Sequence, residues 1–317
     1  MAPSSSSRTT IAPRRVVMRS DKLPVSLRLR IWASQYLWPG RNRGGMGNVV
    51  RLPFKKVIKL NASRNEVEAM EYVRTNTSVP MPKVYKVYER PDGAFNILME
   101  QLPGNGIDYA NMSPEQVRAF GDELAGYLNQ LRSLKPPEEG FIGSIDGKSL
   151  MDHRIGNLPF GPFHNVDDFH SYLRLGGRLD EWMYDPVVKT IHGKSNAYRV
   201  KFTHADLNPF NIQYHNGKIR GILDWETAGW YPEYWEYTKM WFAYRPPFEP
   251  FFKAVEGNPN IDKYPEELKA ERDIWRRLSP WAYDSFYEQP KNVAAFYEVI
   301  NAGKSQNGDD ATGDSAR

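Results

Sequence analysis

A carboxylate and an amide five residues apart make the first candidate for chemistry in this chain. His204, Asp206 and Asn211 form the pattern H-x-D-x-x-x-x-N, and a later apolar run ends at Asp224. Phosphoryl transfer from ATP needs one carboxylate that orients the acceptor hydroxyl and takes its proton. It also needs an amide and a second carboxylate that hold magnesium ions beside the phosphates. The residue types therefore predict Asp206 as the base, with Asn211 and Asp224 as metal ligands.

The two strands of a hairpin must bring these groups together. β-branched and aromatic residues over 198–202 predict a strand before the pattern, and residues 212–215 predict a strand after it. Asn216-Gly217 is a favoured hairpin turn, so the next strand returns to the same end and delivers Asp224 there. A polar β-turn with a structural His and an Asx-turn Asn is the competing interpretation of the pattern. The hairpin and the returning Asp224 favour the catalytic interpretation.

These segments resemble a known family. His204 to Asn211 looks like the catalytic loop of the protein-kinase-like fold. Ile222 to Glu226 looks like the metal-binding segment of its aminoglycoside phosphotransferase branch. The longer run from Asp224 to Glu236 is similar to the large fungal group of aminoglycoside phosphotransferase-like proteins. The resemblance covers roughly residues 45–245 and is most specific over residues 202–236.

The resemblance implies an α+β, protein-kinase-like fold with two lobes. The N-terminal lobe would be mainly an antiparallel sheet with one helix, and the C-terminal lobe mainly helical with the catalytic β-hairpin. It also implies ATP and Mg²⁺ as cofactors and a small molecule with a hydroxyl group as the phosphate acceptor. That acceptor need not be an aminoglycoside, because the same branch contains choline, homoserine and other small-molecule kinases.

The order of segments predicts how the chain is divided. The first residues are rich in Ser, Pro and Arg and contain no acid, a composition typical of disorder. The last residues are rich in Gly and Asp, and we expect them to be disordered as well. We predict a basic tail over residues 1–20 and a nucleotide-binding lobe over residues 21–100. A hinge over residues 101–106 follows, then a catalytic and acceptor lobe over residues 107–301 and a second tail over residues 302–317.

The nucleotide-binding residues are assigned from the resemblance. Lys59 ends a Val-Ile-Lys strand and matches the lysine that contacts the α- and β-phosphates. Glu66, in preference to Glu68, matches the helical glutamate that pairs with this lysine. Ser63 and Glu66 also fit a capping box, in which Glu66 would bond the backbone of Ser63, and the sequence does not separate the two roles. The glycine-rich turn at 40–47 fits a plain turn as well as a phosphate cover.

The predicted hinge follows a pair of strands near residues 84–88 and 95–99. Its position in the order of elements implies that the backbone of Glu100, Gln101 and Leu102 hydrogen-bonds the adenine. An ordinary exit from a strand into a loop is the alternative, because the composition of the segment is not distinctive.

Composition excludes several other classes of protein. The net charge of +4 is carried entirely by residues 1–20, so the rest of the chain is neutral and does not indicate nucleic-acid binding. The absence of Cys excludes disulfides and thiolate catalysis. No apolar run approaches the ~20 residues of a membrane span. We expect no membrane or protein partner and a cytoplasmic location, although the tail also fits a mitochondrial transit peptide.

Two other functions compete with that of a small-molecule kinase. A protein kinase needs a long activation segment, but Tyr231-Pro232-Glu233 follows Asp224 after only six residues. A catalytically silent, nucleotide-binding pseudokinase or scaffold is favoured only by the irregular glycine-rich turn, since the matched catalytic positions carry competent residues.

We interpret His204 as a buttress of the loop and Asn208 as a polar contact in the slot where protein kinases carry Lys. The acceptor has no motif.

Overall fold

The computed structural model describes residues 18–20, 22–37, 48–103, 111–180, 182 and 186–309. The chain divides into two compact units, Met1–Ala62 with Lys83–Gln101, and Ser63–Pro82 with Leu102–Arg317. Strands dominate the first unit and helices the second, which confirms the predicted α+β fold class. The glycine-rich turn at 40–47 and residues 104–106 of the predicted hinge lie outside the described residues.

The first unit is a five-stranded sheet. Its strands run in the order β1-β4-β5-β3-β2, and every pairing is antiparallel except that of β1 with β4. A buried cluster centred on Ile58 joins the sheet to the helix that precedes it. The elements of this unit are β1 (Met18–Ser20), α1 (Val25–Leu37), β2 (Val49–Leu52), β3 (Lys56–Ala62), β4 (Val84–Glu89) and β5 (Phe95–Glu100).

Strand β1 lies inside the segment predicted to be a tail. It pairs with β4 in a parallel register in which Met18 lies opposite Lys86. Without β1, the outer side of β4 would present a row of unpaired N–H and C=O groups. Such groups at a sheet edge can hydrogen-bond a further strand, which explains the pairing of β1 with β4. Such pairing depends on a distant strand, so local composition does not reveal it.

The second unit contains nine helices and two short sheets among its described residues. Its elements are α2 (Arg64–Asn76), α3 (Pro114–Ser133), α4 (Val166–Leu173), α5 (Pro186–His192), β6 (Val200–Thr203), β7 (Ile212–His215), β8 (Lys218–Ile222), β9 (Gly229–Pro232), α6 (Trp235–Phe242), α7 (Glu249–Gly257), α8 (Pro265–Arg277), α9 (Pro280–Tyr287) and α10 (Pro290–Asp309). Helix α10 continues past residue 302, where the sequence predicts a tail, because each residue added to an existing helix gains a backbone hydrogen bond.

Helix α2 belongs to the second unit, although it precedes two strands of the first. The Asn65 side-chain amide at its start donates to the backbone oxygens of Glu226 and Ala228, at 3.0 and 2.8 Å. The ring of Tyr72 lies 5.7 Å from Phe202 and 6.1 Å from Trp230, measured between centroids. Polar contacts at one end and aromatic contacts along its length therefore tie α2 to the elements around the candidate site.

Local sequence explains where helix α3 starts and where the β7–β8 hairpin turns. The sequence Ser113-Pro114-Glu115-Gln116 predicts a helix start with a capping box, and α3 begins with it: Ser113 Oγ accepts from Gln116 N at 3.3 Å and Gln116 Oε1 accepts from Ser113 N at 2.8 Å. The β7–β8 hairpin turns at Asn216 and Gly217, whose φ angles of 50° and 72° match the left-handed turn that this dipeptide favours. Both predictions are confirmed.

Aromatic residues after Asp224 form much of the core of the second unit. Trp225, Tyr231, Tyr234 and Trp235 are completely buried. Tyr231 and Trp235 stack in parallel at 5.8 Å between ring centroids. Within the described part of the chain, no helix combines the length and the apolar character needed to cross a bilayer.

Candidate active site

The loop between β6 and β7 holds the Asp206 carboxylate in a fixed orientation. Asn211 Nδ2 donates to Asp206 Oδ2 at 2.8 Å, and Asn208 Nδ2 donates to Asp206 Oδ1 at 3.1 Å. The same two amides also donate to the main-chain oxygen of Asp206, at 2.8 and 3.0 Å. Asn208 therefore orients the predicted base, and its polar contact in the slot where protein kinases carry Lys stays a prediction. Because Asn211 uses its nitrogen on Asp206, its side-chain oxygen is the atom suited to ligate a metal ion.

The buried ring of His204 supports this loop from the protein interior. Its ring is completely buried and lies 4.5 Å from the ring of Trp225. Nε2 lies 2.9 Å from the Leu223 oxygen, and Nδ1 lies 3.2 Å from the Asp206 nitrogen. Because Nδ1 accepts a backbone N–H, Nε2 must be the protonated nitrogen that donates to Leu223. His204 is thus a neutral, hydrogen-bonded buttress, in agreement with the sequence interpretation.

A carboxylate on α6 holds the turn that carries Asp206. Glu236 Oε2 accepts from the His204 N–H at 2.6 Å and also bonds the backbone of Ala205. Ala205 has a φ of 62°, a left-handed conformation that costs a non-glycine residue roughly 1 kcal/mol or more. Burial raises the pKa of Glu236 to about 7, and the two backbone donors oppose this rise. The side chain of Glu236 therefore stabilises a strained turn from inside the core.

The electrostatic surroundings of Asp206 suit a general base. Burial is the main cause that raises the pKa of its carboxyl group, and the negative charges of Asp152 and Asp224 act in the same direction. The ammonium group of Lys239 and the bond from Asn211 act in the opposite direction. A carboxylate whose pKa lies above its ordinary value holds a proton more readily, which a base that accepts a hydroxyl proton requires.

The hairpin brings Asp224 to the same end of the site. Leu223 N donates to the Asn211 main-chain oxygen at 2.8 Å, so the residue that follows β8 meets the residue that precedes β7. Asp224 itself has a φ of 66°. Asn211 and Asp224, the two predicted metal ligands, therefore lie on adjoining segments of one unit, next to Asp206.

Three carboxylates converge around Asp224. Glu66, Asp224 and Glu226 each offer an oxygen atom, and these atoms all lie within 4.8 Å of one another. Like charges at this distance repel unless a metal ion or an ammonium group compensates them. An all-oxygen donor set is the type that Mg²⁺ prefers, so these residues fit such an ion.

The sequence interpretation missed Glu226 and did not place Glu66 beside Asp224, and the pairing of Glu66 with Lys59 stays a prediction. Glu226 stands two residues after Asp224, where protein kinases have Gly, and this D-x-E spacing is the signal that could have found it. Glu66 was predicted to pair with Lys59. Its helix begins with Ser63 Oγ accepting from Glu66 N at 3.0 Å, and its carboxyl group is buried beside Asp224. The cap at Ser63 and the acidic cluster both involve Glu66.

The remaining predicted nucleotide contacts lie largely in the first unit. Lys59 is on β3 and only 4% exposed. The N–H groups of Glu100 and Gln101 donate to the main-chain oxygens of Lys83 and Lys55, at 2.9 and 2.8 Å. Those two N–H groups are therefore used by the sheet. Leu102 belongs to the second unit. The contacts of these residues with a nucleotide stay predictions.

A loop without any recognised motif also reaches this region. His153 Nε2 lies 3.2 Å from Glu226 Oε1. On one side of it, Asp152 Oδ1 accepts from Lys239 Nζ at 2.5 Å, and on the other, Arg154 donates to Glu271 at 2.7 Å. Sequence reasoning overlooked this loop because its partners are between 73 and 117 residues away along the chain.

Comparisons with known proteins identify the family of the chain and support its fold. Residues 41–270 match the model of the phosphotransferase enzyme family. No curated protein matches the chain in sequence. The crystal structure of a thermostable mutant of aminoglycoside phosphotransferase APH(4)-Ia in its apo form is 13% identical and covers 85% of this chain and 99% of that one, with a TM-score of 0.51. The structure of aminoglycoside phosphotransferase APH(4)-Ia is 14% identical and covers 80% and 89%, with a TM-score of 0.50.

These two structures support the fold, and the family model supports the assignment. The match extends over more than half of the chain and includes Glu66, Asp206, Asn211, Asp224 and Glu226. The chain therefore belongs to the phosphotransferase enzyme family.

Proposed function

We propose that this protein transfers the γ-phosphoryl group of ATP to a hydroxyl group of a small molecule, with Mg²⁺ as the metal ion. The observation that carries the proposal is the convergence of Asp206, Asn211 and Asp224 at one end of the β7–β8 hairpin. Membership of the phosphotransferase family supports the reaction class. Kinases of this type rely on positioning and charge stabilisation, and these side chains supply both.

The proposed reaction uses Asp206 as the base. The acceptor oxygen attacks the γ-phosphorus and forms a new O–P bond, while the bond between the γ-phosphorus and the β–γ bridging oxygen breaks. The proton of the acceptor hydroxyl passes to an Asp206 carboxylate oxygen, and ADP leaves with the bridging oxygen. Asn208 and Asn211 keep the carboxylate in place throughout.

The chain also offers suitable ligands for the metal ion. Asn211 Oδ1 and the carboxylates of Asp224 and Glu226 would hold Mg²⁺, and Glu66 lies in the same cluster. When bound, the ion neutralises the negative charge of the phosphates. Lys59 and the backbone of residues 100–102 remain the proposed contacts of the phosphates and the adenine.

ADP release in the presence of Mg-ATP tests this proposal. The assay would use kanamycin, choline, glucose and homoserine as acceptors, with the wild type, Asp206→Asn and a control variant, Asp92→Asn. Asp92 lies in an exposed turn of the first unit, where its side chain is 54% exposed. We expect acceptor-dependent ADP release that disappears in Asp206→Asn and is unchanged in Asp92→Asn.

A nucleotide-binding scaffold would give a different result. ATP would raise its melting temperature, but no acceptor would stimulate ADP release in the wild type. A bound nucleotide stabilises the folded protein by RT ln(1 + [L]/Kd), so the shift in melting temperature reports binding without turnover. Such a result would contradict the proposed reaction.

A further inference from the structure

Residues 150–160 form a loop that hydrogen bonds hold at its two ends and near its middle. Leu150 and Phe160 exchange two backbone hydrogen bonds, at 2.8 and 3.0 Å, which close the loop. Asp284 on α9 accepts from the backbone of Asn157 and Leu158 and from the Asn157 side chain, at 2.8 to 3.2 Å. The loop is therefore held in one conformation by elements of the C-terminal part of the unit.

Two buried ion pairs fix the centre of this loop. Asp152 and Lys239 are almost completely buried, with side chains 0% and 3% exposed, and Asp152 also accepts from Trp235 Nε1 at 3.0 Å. Arg154 and Glu271, 0% and 2% exposed, form the second pair. Burying four charges carries a large desolvation penalty, so such pairs contribute little net stability and instead specify a geometry.

His153 is the exposed residue between these two anchors. Its side chain is 59% exposed, and its Nε2 is 3.2 Å from Glu226 Oε1. Among the described residues, no hydrogen-bond partner is found for its Nδ1. Glu226 belongs to the carboxylate cluster that includes Asp224, so the imidazole of His153 lies beside the acidic end of the candidate site.

We infer that His153 is an acceptor-binding residue, whose Nδ1 edge contacts a polar group of the small molecule next to the hydroxyl that is phosphorylated. This inference rests on the proposed function. It also narrows the class of acceptor to molecules with a second hydrogen-bonding group, such as a hydroxyl, amine or carboxylate, close to the reacting hydroxyl. Loops that carry binding residues are commonly held by a rigid scaffold in this manner.

The alternative is that His153 serves only to hold Glu226. An exposed ion pair of this type contributes little to stability, so stability alone does not separate the two roles. Kinetics separates them. An acceptor contact affects the KM of the acceptor, whereas a role through Glu226 affects the dependence on Mg²⁺.

The experiment measures KM and kcat of the wild type, His153→Ala, His153→Gln and His215→Ala. It uses whichever of kanamycin, glucose and homoserine, all of which carry a second hydrogen-bonding group, gives the highest acceptor-dependent rate. His215 is also an exposed histidine, but it lies beside the turn of the hairpin, away from Asp206. We expect His153→Ala to raise the acceptor KM about tenfold, the equivalent of one hydrogen bond, with kcat and the KM of ATP changed less than about threefold.

His153→Gln keeps a hydrogen-bonding group and should recover part of the loss, and His215→Ala should behave as the wild type. An unchanged acceptor KM in His153→Ala would overturn the inference. If the acceptor KM is unchanged and the requirement for Mg²⁺ is higher, His153 acts through Glu226 and the inference is likewise overturned. Absence of acceptor-dependent ADP release in the wild type would instead contradict the proposed function itself.

Discussion

Two clusters of the second unit combine His and Asp with other polar side chains, and only one of them is suited to catalysis. The first surrounds Asp206. The second, the buried histidine cluster, consists of His170, Arg174, His192 and Ser195, with the exposed Asp167 at its edge. In it, Ser195 Oγ lies 2.8 Å from His170 Nδ1 and 3.0 Å from Asp167 Oδ1. Ser, His and Asp are the residue types of nucleophilic catalysis, so composition alone would rank this cluster as highly as the first.

Geometry and access distinguish the two. His170 is completely buried and Ser195 is 5% exposed. The second ring nitrogen of His170 lies 2.7 Å from the Tyr234 hydroxyl, and Asp167 contacts the serine and not the histidine. Among the described residues, no carboxylate bonds to His170 and orients it as a base, as a catalytic triad requires. Asp206 is partly open and is oriented by two amides.

Burial also affects the titration of the two clusters in different ways. His170 stacks on His192 with 4.0 Å between ring centroids. Burial, with a smaller effect from Arg174, lowers the pKa of His170 to about 3, and burial likewise lowers that of His192. Burial raises the pKa of Asp206. The histidines are therefore kept neutral as parts of the core, whereas the aspartate becomes a better base. Titratable groups alone do not define a site.

The largest expected effect separates the two clusters directly. Asp206→Ala should lower the phosphotransfer rate by about 10²- to 10⁴-fold, the usual contribution of a positioned acid–base group. Ser195→Ala should leave the rate per folded molecule unchanged and lower the melting temperature, because it removes buried hydrogen bonds. Turnover at saturating ATP and thermal melting of both variants measure this. A loss of turnover in fully folded Ser195→Ala would show that the buried histidine cluster takes part in the reaction, contrary to this prediction.

A second prediction concerns the ion pair beside the catalytic loop. Lys239→Met should lower the free energy of unfolding by about 3–5 kcal/mol, because it leaves the Asp152 carboxylate buried without its cation. Replacing both partners, as Lys239→Met with Asp152→Leu, should recover part of this loss. Urea unfolding of the two variants measures the difference. A single variant as stable as the wild type would show that the pair does not anchor the loop.

The buried histidine cluster should make the protein sensitive to acid. The folded-state pKa of His170, about 3, lies below its ordinary value of 6.5. The neutral histidine therefore contributes its full stability above pH 6.5, and that stability is lost as the pH falls toward 3. For His170, the loss should amount to about 2 kcal/mol between pH 7 and pH 5, and protonation of His192 acts in the same direction.

Urea midpoints measured across this pH range test the prediction. His192→Phe should reduce the slope, whereas His215→Phe, at an exposed position, should not. If the wild type shows no loss of stability between pH 7 and pH 5, the histidines are not kept neutral by burial.

The smallest expected effect lies in the catalytic loop. Ala205→Gly should raise stability by about 0.5–1 kcal/mol, because glycine adopts the left-handed conformation found there without strain. The matched control, Ala125→Gly inside α3, should lower stability by about 1 kcal/mol. Chemical unfolding of both variants gives the comparison. A loss of stability in Ala205→Gly would show that the turn is not strained.

Local patterns predicted the parts of this molecule that local interactions determine. The Asn216-Gly217 turn fixes the hairpin, and the Ser113 capping box starts α3. The proposed catalytic loop could be predicted because its residues lie close together in the chain. Its internal contacts, such as that of Asn211 with Asp206, span at most five residues.

The remaining features depend on contacts between distant segments. Strand β1 exists because β4 offers an edge, and Glu66 reaches Asp224 because Asn65 ties α2 to residues 226–228. His153 is positioned by buried charges on α6 and α8. Spacing along the chain contains no signal for such contacts. Only the D-x-E spacing of Asp224 and Glu226 could have extended the predicted site.

Transfer of a labelled γ-phosphate from ATP to the acceptor tests the central claim most directly. The wild type and Asp206→Asn would be compared at equal occupancy by nucleotide, and the product would be the labelled small molecule. The account predicts labelled acceptor with the wild type and about 10²- to 10⁴-fold less with Asp206→Asn, at unchanged nucleotide affinity. Equal labelling by the two proteins, or nucleotide binding without any transfer by the wild type, would contradict it.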